Sequence, residues 1–322
     1  MRPSPRRLPL LPLLASTFLF LGTPGSLLAQ IPAPTLRPIP TSASTLDTHL
    51  PLPANPVLRS LFLVGDSAIS AGPGGTSAGG QGWGDPLATF FDRAEINVVN
   101  RAITSSSARA YVAEGFWADT LALVKSGDVV LIQFTGNDAD PATTVEGSLP
   151  GVNDDFRDLA NPTTYQPELV HTFGWYLRQI AVDTLAHGAT PILCSPVPHN
   201  QWQNGHLRQP PETVAGWARA IAVQQRVPFV DLNTILTRRF DALGQAAVAP
   251  LFADDQTHSS AAGARLNAEA VIAGLKALQP DPLSSFFSPA AANIQPAELP
   301  LLPAPAPPTS LQLPTVPTAS QP

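Results

Sequence analysis

Five short apolar runs, each closed by a polar or turn-forming residue, set the rhythm of the chain. They occupy residues 60–64, 96–100, 128–134, 191–195 and 228–231. Runs of this length that are apolar throughout fit strands buried on both faces. The clearest is 128–134, which is rich in β-branched residues. Stretches with a helical period lie between them. Residues 107–124 show apolar positions at Tyr111, Ala118, Leu121 and Val124. Residues 168–187 repeat apolar positions at Leu169, Phe173, Tyr176, Ile180 and Leu185, and Gly188 follows where a helix ends. Residues 261–278 are alanine-rich, with Leu266, Val271, Ile272, Leu275 and Leu278. The alternation predicts an α/β fold: a three-layer α/β/α sandwich around a five-stranded parallel sheet. In such sheets ligands bind at the carboxyl ends of the strands.

Proline marks the limits of this pattern. It is dense in 31–56 and 280–322 and sparse between them. The expected organisation is a body at 57–279, a Pro-rich linker at 30–56 and a disordered Pro/Ala-rich tail at 280–322. Arg2, Arg6 and Arg7 precede an apolar stretch that ends at Ala29, the layout of a secretory leader cleaved there. Its apolar run is shorter than the ~20 residues that span a bilayer. The expectation is an exported, periplasmic or extracellular, monomeric protein without membrane insertion after cleavage. The net charge is −6 with the three leader arginines included, so a basic surface for nucleic acid is not expected. The single cysteine, Cys194, lies in an apolar run and reads as core.

The strand ends carry the chemistry. The first runs into Gly65-Asp66-Ser67. The second ends at Asn100 and is followed by a serine-rich stretch, Thr104 to Ser107. The third leads into Thr135-Gly136-Asn137-Asp138. Just before the last helix stands Asp255-Gln256-Thr257-His258. A serine is inert at neutral pH without a base, and a histidine oriented by a carboxylate supplies one. The loop after the fourth strand, His199 to His206, also overhangs this edge, and its Trp202 is a candidate face for a sugar ring. The segment 140–167 is long for a structureless loop and is a candidate wall of the cleft.

These blocks, in this order, resemble the GDSL/SGNH hydrolases, and within them the rhamnogalacturonan acetylesterase group. Ser107, Arg109 and Tyr111 match that group's second block, and Pro198-His199-Asn200-Gln201-Trp202 its stretch after strand four. The resemblance spans about 60–278. It implies a flavodoxin-like sandwich and an esterase that needs no cofactor or metal. Ser67 would be the nucleophile, His258 the base and Asp255 the residue orienting it. The oxyanion hole would use the N–H of Ser67, the N–H of Ser105 and the amide of Asn137. Asp66, Arg109, His199, Asn200 and Trp202 are candidate substrate contacts. Two positions depart from the family pattern, since Ser105 and Thr135 stand where glycine is usual. The expected substrate is an acetylated carbohydrate of the pectin type. A lipolytic esterase or lysophospholipase is the alternative on the same scaffold. A non-catalytic carbohydrate-binding protein is the alternative from another class.

Overall fold

A computed structural model describes residues 50–70, 80–208, 214–253 and 256–298. The leader, most of the linker and the chain beyond 298 lie outside them, as does Asp255.

In chain order the elements are β1 (Arg59–Gly65), α1 (Gly84–Ala88), β2 (Ile96–Asn100), α2 (Ala108–Ala113), α3 (Phe116–Leu121) and β3 (Val129–Gln133). A single 3₁₀ turn, Gly136–Ala139, follows. Then come β4 (Phe156–Ala160), β5 (Pro167–His171), α4 (Phe173–Ala186), β6 (Thr190–Cys194), β7 (Trp202–Gln203) and β8 (His206–Leu207). The last are α5 (Val214–Gln225), β9 (Phe229–Val230), α6 (Leu232–Leu243), α7 (Gln245–Val248) and α8 (Ala261–Lys276).

The five predicted strands form one parallel sheet in the order β2-β1-β3-β6-β9. Alternate side chains of each strand enter different cores. Leu61, Leu63, Val129, Leu131 and Ile192 pack with α1, α6 and α8. Phe62, Val64, Val130, Ile132 and Leu193 pack with α2, α3, α4 and α5. Two apolar faces on one sheet are why the strands read as unbroken apolar runs. The fold is the predicted three-layer sandwich.

The differences are local. The helix predicted over 107–124 is two helices, broken where Gly115 takes φ +89°. A side chain disfavours that conformation, so a chain needing it there uses glycine. The helix predicted from 168 begins at Phe173, where the Thr172 side chain accepts from the Trp175 N–H and caps it. Residues 167–171 pair antiparallel with β4 instead. The long 140–167 segment therefore carries structure of its own.

Packing also continues past both predicted limits of the body. Arg101 donates to the carbonyls of Leu50 and Pro51, and Asn97 to that of Asn55. At the other end Leu283 and Ala291 are fully buried, Phe287 bridges to Phe91, and Lys276 donates to the carbonyls of Ala291 and Ile294. Residues 280–298 thus form a strap across α8 and the residues that follow α1, and the rest of the expected tail lies outside the described residues. Proline density hid the apolar anchors between the prolines. Among the described residues no helix is long and apolar enough to cross a membrane.

Candidate active site

Ser67 sits two residues beyond β1. Gly65 closes the strand because a Cβ there would overlap the Gln133 carbonyl of β3. The turn is fixed by Asp66, whose carbonyl accepts from the N–H groups of Ile69 and Ser70 at 3.1 and 3.0 Å. Asp66 itself points inward and is fully buried. Its carboxylate accepts from the Ala68 N–H at 3.0 Å and from both the N–H and the hydroxyl of Thr135 at 2.6 Å. It therefore ties the end of β1 to the end of β3. With its oxygens committed there, it is a clamp between the two strand ends. Burial raises its pKa, opposed by the Thr135 hydroxyl, by the backbone donors and by the charge of His258.

His258 reaches the same place from far along the chain. Its carbonyl accepts from the Ala253 N–H at 2.8 Å, and Phe252 and Ser259 form an antiparallel bridge. Ser260 caps α8 through the Gly263 N–H and donates to the Pro250 carbonyl. The Asn200 N–H donates to the Gln256 carbonyl at 2.7 Å, which joins this loop to the one after β6. Ser67 and His258 both line one cleft of about 380 Å³, open mouth included, together with Gln81, Thr135, Val197 and His199.

Asn137 lies in the 3₁₀ turn after β3, and its amide donates to the Ser106 carbonyl at 2.7 Å. Ser105 is exposed and takes φ +60°. The turn does require the left-handed conformation that glycine adopts freely. Thr135 has φ −116° and needs no glycine; its hydroxyl instead gives Asp66 a donor that glycine lacks. Asp138 is buried, with one carboxyl oxygen accepting from the Ser148 hydroxyl at 2.6 Å and the other from the Ala108 N–H at 2.8 Å. Burial pushes its pKa up to about 7.

Other predicted contacts are placed elsewhere. Arg109 is buried and donates to both oxygens of Glu168 and to the carbonyls of Ala142, Thr144 and Gly147. It gathers the 140–149 segment and β5 around one guanidinium. Asn200 accepts from the Trp202 indole N–H at 2.7 Å, and the ring packs partly against the core. Neither residue lines the cleft; His199 does. Thr135 and Gln81 were not singled out as site residues, although Thr135 was visible as a departure from the family pattern. Cys194 is buried and its thiol pKa is raised by burial, as a core residue's would be. Among the described residues no cluster of His, Cys, Asp or Glu could hold a metal ion.

The parallel sandwich, together with the family and relatives it matches, makes this a carboxylic ester hydrolase of the GDSL type. The chain belongs to the GDSL-like lipase/acylhydrolase family, whose model matches residues 61–271. It is 30% identical over 229 residues to a rhamnogalacturonan acetylesterase of Emericella nidulans, covering 70% of this chain and 88% of that one. A probable rhamnogalacturonan acetylesterase of Bacillus subtilis, YesY, is 28% identical, covering 68% and 93%. Protein YxiM of Bacillus subtilis, known as a crystal structure, shares the fold with a TM-score of 0.53 at 23% identity, covering 68% of this chain and 56% of that one.

Proposed function

We propose that this protein is an exported serine esterase that removes O-acetyl groups from a rhamnogalacturonan-type polysaccharide. The observation that carries the reading is that Ser67 and His258, distant in sequence, line one cleft at the carboxyl edge of the sheet. In the proposed reaction the Ser67 hydroxyl attacks the acetyl carbonyl carbon while His258 accepts its proton. The N–H groups of Ser67 and Ser105 and the Asn137 amide hold the oxyanion. Collapse of the intermediate breaks the ester bond, and the sugar hydroxyl leaves with the proton returned by His258. Water, activated by the same imidazole, then frees acetate from Ser67. Asp255, three residues before His258, is assigned to orient the imidazole.

The composition of the cleft favours acetyl over long acyl chains. Among the described residues lining it, Ala68 and Val197 are the apolar ones, and neither side chain is large. A fatty acyl chain would need apolar walls to repay its transfer from water, at about 0.8 kcal/mol for each buried methylene. The similar curated relatives are rhamnogalacturonan acetylesterases, which supports the sugar side of the substrate.

The test compares wild type with Ser67→Ala on p-nitrophenyl acetate, a long-chain ester and acetylated pectin. Wild type is expected to release acetate from the first and last, with the variant at least ~10³-fold slower. Equal rates for the two proteins sink the nucleophile, and a preference for the long-chain ester sinks the acetylesterase. Export is checked separately: the amino-terminal sequence of the protein recovered outside the cytoplasm should begin at Gln30.

A further inference from the structure

Ser105 holds a left-handed backbone that a serine does not choose by itself. Such a residue persists where its surroundings over-determine it. Its entry is anchored, because the Ile103 N–H donates to the Gly65 carbonyl and Thr104 shares a hydrogen bond with Ser70. Its exit leads directly into α2, whose first-turn N–H groups need partners. The Ser107 hydroxyl takes that of Ala110. The carboxyl group of Asp138 takes those of Ala108, at 2.8 Å, and Arg109. Its other oxygen holds the Ser148 hydroxyl, and the Ser148 N–H donates to the Asp138 carbonyl at 3.1 Å. Asp138 follows Asn137, whose amide already grips the Ser106 carbonyl.

We propose that Asp138 is a positioning residue that locks the 105–109 segment to the Asn137 turn, so that the Ser105 N–H and the Asn137 amide converge on one oxyanion. The inference rests on the reading of Ser67 as the nucleophile of an esterase. Asp138 is buried and both its carboxyl oxygens are taken, by the Ser148 hydroxyl and the Ala108 N–H, so it acts through its neighbours. A clamp of this kind matters most when negative charge develops on the oxyanion. Its loss therefore lowers kcat and leaves KM nearly unchanged. A role in stability alone would lower the melting temperature and leave the kcat of the folded protein intact.

Two substitutions separate these outcomes. Asn at 138 can still accept from Ala108 and Arg109 through its carbonyl while its amide donates to the Ser148 oxygen, so it keeps the clamp. Ala removes it. With p-nitrophenyl acetate, folded Asp138→Ala is expected to lose kcat by roughly ten- to a hundredfold with KM within about twofold. Asp138→Asn should recover most of that loss. Folding is monitored by circular dichroism and melting temperature. If Asp138→Ala does not fold, Ser148→Ala is read in its place, with at least about a threefold loss of kcat at unchanged KM expected. Wild-type kcat in the folded Ala variant, or in its Ser148→Ala substitute, overturns the proposal. An Asn variant as slow as the Ala variant overturns it too. Ser67→Ala runs alongside: if it is inactive while the clamp variants are unaffected, only the clamp fails. If it matches wild type, the esterase reading itself fails.

Discussion

At Ser105 the backbone takes φ +60°, where an L-residue's Cβ crowds its own carbonyl at a cost of about 1–2 kcal/mol. Glycine avoids that cost but gives up ~0.5–1 kcal/mol of chain entropy. Ser105→Gly is therefore expected to melt at or slightly above the wild-type temperature, and a clear drop by calorimetry would contradict the strain. Asp138 makes a second, pH-dependent prediction. Its pKa is near 3.8 when unfolded, and burial in the native state pushes it up to about 7. The folded protein thus binds this proton more tightly, so the stabilisation is present at low pH and fades as pH rises between those values. Asp138→Asn does not titrate. The difference in melting temperature, wild type minus variant, should fall between about pH 4.5 and pH 8; a flat or rising difference refutes it. At this scale the sequence showed which residue types stood at the strand ends but not where they point. The positions of Ser67, Asn137 and His258 were legible because each sits at the end of a strand or before a helix. The burial of Asp66 and Arg109 was not legible because the partners that turn them inward, Thr135 and Glu168, are remote in sequence.

The β4–β5 hairpin and the break between α2 and α3 are the elements the periodicity did not resolve. Residues 167–171 alternate, but Val170 faces the core while Leu169 is 53% exposed, so the apolar pattern does not show which face is inward. The hairpin is held from beneath by the Arg109–Glu168 pair, whose arginine is 1% exposed. Removing one partner of a buried pair leaves the other uncompensated, at about 3–5 kcal/mol. Arg109→Met should accordingly lower the melting temperature by several degrees. It should also open segment 140–171 to limited proteolysis while the sheet remains folded, and mass spectrometry of the fragments locates the first cut. Cleavage distributed evenly along the chain would mean that Arg109 supports the whole body and not this wall.

The five-stranded parallel sheet was the most legible feature of the whole molecule, because each strand is apolar on two faces; the order β2-β1-β3-β6-β9 is set by packing that no single strand reveals. The strap at 280–298 was the least legible. Leu283, Phe286, Phe287 and Ile294 are spaced irregularly, so no period betrays them. Yet the Asp92 N–H donates to the Phe286 carbonyl, the Ser288 N–H to that of Phe90, and the Ser288 hydroxyl to that of Thr89. The Ser288–Thr89 bond joins residues 199 positions apart in the chain. Closing so long a loop is entropically costly, so a contact of that range is expected to form late, after the sheet. Interactions absent from the folding transition state slow unfolding without speeding folding. Phe287→Ala is thus expected to shorten the lifetime of the native state in stopped-flow unfolding while the refolding rate stays within about twofold. An equal slowing of refolding would place the strap in the nucleus instead. The strap then works as a latch on persistence: it sets how long each molecule survives intact between excursions, not how fast it is made.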